Sequence, residues 1–229
     1  MTDPIRIESP AELAPHIQHT LIEAGTTRER VIAHAREAVE HGFNAAMVAG
    51  SWVDVVASEL RGTGVQVASA LDFPICGAMT TEGKAREAEE LVRLGAQQLD
   101  IGVQVGWLRS GDHRRFREDI AAVVACGVPI KVMLELPLLT PAERDAAVDL
   151  ALDAGAAYLK NASSGAVEIA NPDSISYLVE RAAGRAAVKA SGGIKSYDQA
   201  VALIAAGATL LGTSAGIQLV TGAEAAVSY

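Results

Sequence analysis

The chain has 229 residues, half of them hydrophobic by type and 21% charged, with a net charge of -9. That length suits one large domain, and an acidic balance without clustered basic residues argues against nucleic acid as a partner. It leaves room for a small phosphorylated ligand, which needs only local backbone N–H groups and one or two cations.

Cys76 and Cys126 show neither metal-ligand spacing nor a disulfide framework and read as small core residues in a reducing compartment. Residues 1–15 carry charges throughout and lack the apolar centre of a signal peptide. No apolar run approaches the length of a membrane span. A cytoplasmic protein with no membrane partner is expected.

Taken in order, the lead-in 1–15 precedes a first strand at 17–22. Val31, Ile32, Ala35, Ala38 and Val39 then repeat at helical spacing over 27–41, with Thr26 or Thr27 as N-cap. Further strands are expected at 44–48, 65–70, 98–103, 130–134, 157–160, 186–189 and 209–212. A helix over 81–94 opens on Thr80-Thr81-Glu82. Another opens on Thr140-Pro141-Ala142-Glu143, where an N-cap Thr, Pro at N1 and Glu at N3 form a capping box. Asn171-Pro172 and Ser196 begin two more, and 217–229 reads as a C-terminal helix and tail. Gly42, Gly64, Gly95, Gly127, Gly155, Gly184 and Gly207 each stand just before a strand, the place of a left-handed helix stop.

The strands are mostly apolar, as parallel strands covered on both faces are. Eight strand–helix units in one chain point to a single-domain (β/α)8 barrel of the TIM type spanning 1–229. An open doubly wound sheet is the structural alternative, weakened by the absence of a Gly-x-Gly-x-x-Gly fingerprint after any strand.

In such a barrel the strand C-termini build the site. Asp100, Lys160 and Lys189 share one offset from the preceding glycine, on strands four, six and seven, which predicts a common depth and facing. Singly, each reads as a rim residue or half of an ion pair. Together they suggest more, because neighbouring ammonium groups depress one another's proton affinity and a free lysine amine attacks carbonyl carbon. Lys131 lies on strand five. The small-residue turns Ser163-Ser164-Gly165, Ser191-Gly192-Gly193 and Gly212-Thr213-Ser214 lead into helices and suit a phosphate, with Lys195 as a cation; the alternative is that their glycines only shape tight turns. His16 and His19 fall on a strand and His34, His41 and His113 on helices, so no metal set is expected.

At these residues the chain resembles the deoxyribose-phosphate aldolase family of cofactor-independent class I aldolases, from about His19 to the C-terminus. The resemblance rests on His19-Thr20-Leu21, Asp72-Phe73-Pro74, Thr80-Thr81-Glu82-Gly83-Lys84, Leu99-Asp100, Lys131-Val132 with Glu135, Lys160 with its Ser-Gly turn, Lys189-Ala190-Ser191-Gly192-Gly193-Ile194 and Gly212-Thr213-Ser214. It implies Lys160 as the Schiff-base lysine, Lys189 as the second lysine that activates it and Asp100 as acid/base. It also suggests Tyr229 as a proton-transfer tyrosine, and a sugar phosphate and aldehyde as ligands. Gly165, Gly192, Gly193, Lys195, Gly212, Thr213, Ser214, Thr20 and Lys131 become the substrate and phosphate contacts. No cofactor is implied, and members form dimers or tetramers.

Three segments depart from the family pattern. Gln18-His19-Thr20-Leu21-Ile22-Glu23 stands where Asp-His-Thr-Leu-Leu-Lys is common, and Met47-Val48-Ala49-Gly50 where Cys-Val-Asn-Pro is. Gly165 lies one residue further from Lys160 than in the usual Lys-Thr-Ser-Thr-Gly turn. Two other functions stay open on these residues: a lysine-dependent aldolase for a different aldehyde, and a sugar-phosphate-binding barrel without catalysis.

Overall fold

A computed structural model describes residues 5–222. The chain alternates β1 Ile17–Leu21, α1 Arg28–Glu40, β2 Ala45–Val48, α2 Val53–Glu59, β3 Gln66–Leu71 and α3 Thr81–Leu94. It continues through β4 Gln98–Gly102, α4 Val105–Arg109, α5 His113–Val124, β5 Ile130–Met133, α6 Pro141–Asp153 and β6 Tyr158–Lys160. α7 Pro172–Ala182, β7 Ala187–Ser191, α8 Tyr197–Ala205, β8 Leu210–Thr213 and α9 Gly216–Thr221 complete it. The strands pair in parallel in sequence order and β8 closes on β1, so the expected (β/α)8 barrel is the fold.

Local chemistry sets the helix ends where the sequence places them. Thr27, Thr80, Thr140, Asn171 and Ser196 each accept a hydrogen bond from a first-turn backbone N–H, and Thr140 with Glu143 completes the capping box. Gly95 ends α3 at φ 114°, and a Cβ there would lie 2.6 Å from the Ala57 Cβ, so both conformation and packing require glycine. Residues 10–16 form a 3-10 segment that packs against α9; His16 ends it rather than starting β1. Among the described residues no helix is long and apolar enough to cross a membrane.

The core lies outside the barrel, between strands and helices. Ile17, Val48, Leu71, Ile101, Val132, Leu159, Val188 and Leu211 point outward into one continuous apolar cluster. The barrel interior holds a small apolar cluster of Ala45, Met47 and Ala68 and is otherwise largely polar. Near its base Gln18 Nε2 donates to Gln98 Oε1, Gln98 Nε2 donates to Gln66 Oε1, and Asn44 Oδ1 accepts from both Gln18 and Gln98. These amides satisfy one another, which is what makes their burial tolerable.

A second buried polar system shapes one wall of the barrel mouth. Lys84 Nζ lies 2.9 Å from Asp72 Oδ2 and 2.7 Å from Asp119 Oδ2, and donates to the Gly102 carbonyl at 2.7 Å. Asp72 also accepts from the backbone of Gly77, Ala78 and Met79, so the loop after β3 is folded around its carboxylate. Asp119→Ala removes one partner of a fully buried cation, and a loss of at least about 3 kcal/mol is expected from equilibrium urea unfolding.

Candidate active site

Strand register decides which inward side chains share a level. Asp100 is in register with Lys131, and Lys160 with Lys189. Because barrel strands tilt, constant height advances by about one residue per strand, and alternate strands supply each layer. Asp100 and Lys160 therefore share one layer, while Lys131, Lys189 and Gln18 occupy the layer beneath. The common depth expected for Asp100, Lys160 and Lys189 is corrected to two adjacent layers, because glycine offsets carry no record of the tilt.

The three lysines converge on one carboxylate. Lys160 Nζ donates to Asp100 Oδ2 at 2.9 Å, and Lys189 Nζ donates to the same oxygen at 2.7 Å. Lys131 Nζ lies 3.2 Å from Oδ1, at ion-pair distance but without hydrogen-bond alignment. Lys189 Nζ also donates to Gln18 Oε1 at 2.5 Å.

Three ammonium groups around one carboxylate would leave two positive charges uncompensated in a dry interior. Burial drives the Lys189 pKa well below the usual lysine value; Asp100 opposes this, and the charges of Lys160 and Lys131 reinforce it. Burial also lowers Lys131, again against Asp100. At Asp100 burial acts upward, but Lys189, Lys160 and Lys131 outweigh it and hold the carboxyl well below the carboxylate range. The set thus pairs a carboxylate held as an anion with a Lys189 ammonium that burial and its neighbours make easier to deprotonate. Lys160 is 5% exposed, against 1% for Lys189 and 0% for Lys131, which makes it the lysine most open to a ligand.

Lys160, Lys189 and Asp100 form the floor of a cavity of about 270 Å³ at the strand C-termini. Ile22, Met47, Ala70 and Phe73 line one side. Thr20, Gly165, Gly192, Gly193, Lys195, Gly212, Thr213 and Ser214 also line it, so these sequence-predicted contacts are brought together. Lys131 is not on the wall; it sits behind Asp100 as part of the charge set, and its place among the ligand contacts is corrected accordingly. Tyr229 lies outside the described residues.

Close packing between loops holds the small-residue wall. Asn161, fully buried beside Lys160, donates to the Ser191 carbonyl at 3.0 Å and accepts from its N–H at 2.9 Å. Glu135 Oε1 accepts from the Ser163 N–H at 2.7 Å and from Cys76 Sγ. Thr213 Oγ1 donates to the Ile194 carbonyl at 2.7 Å. A side chain at Gly212 would strike Ser191 Oγ and lie 2.9 Å from Lys189 Cε, so this glycine gives the lysine its path. The hydroxyls of Ser163 and Ser191 have no partner among the described residues and adjoin the cavity.

Sequence reasoning passed over Asn161 and Ser191 as individual contributors and treated Gln18 only as a departure. An inward polar residue on each of β1 and β7 was the available signal. The long-range pairing that gives Asn161 its role has none.

No family model matches the chain. Over 211 residues it is 38% identical to the deoxyribose-phosphate aldolase of Brevibacillus brevis, covering 91% of this chain and 95% of that protein. Over 220 residues it is 38% identical to that of Methanothermobacter thermautotrophicus, covering 95% and 98%. The chain belongs to the deoxyribose-phosphate aldolase family. A crystal structure of a putative deoxyribose-phosphate aldolase from Coccidioides immitis matches with a TM-score of 0.89 at 30% identity, over 95% of this chain and 87% of that one. A tetrameric deoxyribose phosphate aldolase from Aeropyrum pernix matches with a TM-score of 0.86 at 30% identity, over 95% and 93%.

The departures from the deoxyribose-phosphate aldolase pattern at Gln18, Met47 and the Gly165 turn fall directly on this site. Gln18 offers Lys189 a neutral amide oxygen where an aspartate would offer a charge, so among the described residues Asp100 is the one carboxylate at ion-pair distance from these lysines. Met47 lines the cavity at the position of the common cysteine. Glu23 is exposed and outside the cavity wall.

Stability follows the charge set. Lys189 has a folded pKa below its unfolded one, so between the two the unfolded chain binds more protons and stability rises with pH. Asp100 stabilises above the ordinary carboxylate pKa and loses that contribution as pH falls toward its depressed folded value. Lys189→Met is expected to flatten the rise of Tm between about pH 7 and about pH 10, with Tm at neutral pH at least as high as the parent's. Thermal melts across that range check it, and an unchanged slope overturns the lowered pKa of Lys189.

Proposed function

We propose that the protein is a Schiff-base aldolase that reversibly cleaves 2-deoxy-D-ribose 5-phosphate to D-glyceraldehyde 3-phosphate and acetaldehyde. The observation that carries this reading is the sharing of Asp100 Oδ2 by a cavity-facing Lys160 and a Lys189 whose pKa is well below normal. Family membership supports the substrate, since the relatives are named for it.

The chemistry follows from the charge set. A proton passed from Lys160 to Lys189 across the shared oxygen leaves Lys160 as the nucleophile. Its nitrogen bonds to C1 of the substrate, and Lys189 returns the first proton to the former carbonyl oxygen to give the carbinolamine. A second proton, lost by the Lys160 nitrogen and relayed by Lys189, lets that oxygen depart as water. The iminium so formed is the electron sink. Lys189, again an amine, accepts the C3 hydroxyl proton while the C2–C3 bond breaks and its electron pair flows toward nitrogen. Glyceraldehyde 3-phosphate leaves, the enamine is protonated at C2, and water releases acetaldehyde and restores Lys160. Asp100, whose carboxyl the lysines hold well below the carboxylate range, takes the role of charge pivot between the two lysines in place of the acid/base role that the resemblance implies. No metal or organic cofactor is required.

The phosphate fits the wall made by Gly165, Gly192, Gly193, Gly212 and Ser214, with Lys195 at its edge. Ile22, Met47 and Phe73 on the same cavity suit the deoxygenated carbon better than a hydroxyl would. The same reading makes 1–229 one catalytic domain, acting in the cytoplasm in deoxyribonucleotide catabolism, and a homo-oligomer. Tyr229 is the proposed donor of the enamine proton.

Borohydride added during turnover is expected to fix one adduct, on Lys160, read by peptide mass. Lys160→Leu abolishes it, and Lys189→Leu slows it and lowers kcat/KM by at least about 100-fold. An adduct elsewhere rules the mechanism out. Unphosphorylated 2-deoxyribose is expected to react at least about 100-fold less efficiently than its 5-phosphate, as loss of a built phosphate contact demands. Equal efficiencies would transfer the activity to a different aldehyde.

A further inference from the structure

On the outer face of β1, away from the lysines, His19, His34 and Glu37 meet. Gln18 and Thr20 point into the barrel, so His19 between them points out against α1. His34 and Glu37 stand one turn apart on that helix. His19 Nε2 lies 3.1 Å and His34 Nδ1 3.9 Å from the same oxygen, Glu37 Oε2, and the two rings stack with centroids 4.3 Å apart.

The tautomer of His34 is decided by its other nitrogen. Nε2 lies 3.1 Å from the His19 carbonyl, which can only accept, so Nε2 carries the hydrogen and Nδ1 is a bare lone pair. His34 is fully buried, and its Nδ1 has no partner among the described residues. That nitrogen lies 3.9 Å from Glu37 Oε2, another acceptor, which is hydrogen-bonded to His19 Nε2; a cation between them would serve all three atoms.

We propose that His19 Nε2, His34 Nδ1 and Glu37 Oε2 bind a divalent ion of the zinc class. Ligands about 2.0–2.1 Å from a tetrahedral metal stand roughly 3.3–3.4 Å apart, a value bracketed by the two separations to Glu37. The bond from His34 to the carbonyl of His19 is the kind of outer tie that orients ligating histidines. Arg30 Nη1 holds Glu37 Oε1 at 2.9 Å, which leaves Oε2 for the ion. Without metal His19 Nε2 donates to Glu37; on binding, its hydrogen moves to Nδ1. Glu37 is partly exposed and gives both an entry path and a place for water as fourth ligand. The ion would cross-link β1 to α1, leaving the lysine chemistry to the other face of the strand.

Co2+ is the probe. Protein stripped with a chelator is expected to take up one equivalent with a visible absorption band of tetrahedral intensity, and Zn2+ to raise its Tm. His34→Leu and Glu37→Gln are each expected to weaken uptake by at least about tenfold, with circular dichroism reporting the fold. Glu37→Gln alters a partly exposed residue and keeps the test open if His34→Leu does not fold. No stoichiometric uptake, or uptake undiminished in a folded variant, overturns the site.

Discussion

Asp100 is the constraint from which the rest of the site follows. At an effective dielectric near 20, an ion pair at these distances is worth about 6 kcal/mol, and burying each ion costs several kcal/mol. One carboxylate therefore offsets one ammonium comfortably and a second with difficulty, while a third gives up its proton more readily. The arrangement, through burial and mutual repulsion, lowers the proton affinity of Lys189 and Lys131. It does so beside Lys160, which shares its carboxylate oxygen with Lys189 and opens to the cavity.

The fold is arranged to tolerate this charge. Barrel interiors are usually filled by bulky branched side chains, and here those side chains lie on the outer faces of the strands, against the helices. The inner column carries an amide ladder below, the lysines and Asp100 above it, and small residues at the mouth. Gln18 joins the lower two parts, being both a member of the ladder and the second partner of Lys189. Above, Asn161, Glu135 and Thr213 hold three loops by bonds to their backbones, so the cavity wall is fixed by buried side chains.

Much of this was legible in the residues. Helix starts at Thr80, Thr140, Asn171 and Ser196 could be read because capping is local chemistry, decided within four residues. Strand positions could be read from the glycines because a left-handed helix stop is also local. Lys160, Lys189 and Asp100 emerged from their place at strand ends and from their likeness to one family. Lys131 was misplaced, because a position in register with Asp100 depends on how two strands slide past each other. The His19–His34–Glu37 cluster escaped for a related reason: its members lie on a strand and on a helix face that meet only when α1 docks.

The sequence by itself therefore determined the barrel and five helix starts, since these are specified by short-range periodicity, caps and glycine stops. Lys160, Lys189 and Asp100 were singled out by their place at strand ends and by likeness to one family. Tertiary structure alone decided that Lys160 and Lys189 share one oxygen, that Lys131 stands behind Asp100, that Gln18 reaches Lys189, and that Asn161 joins two loops. Those are distances between strands, set by tilt and closure of the barrel, and the order of residues along one strand contains no measure of its height relative to the next.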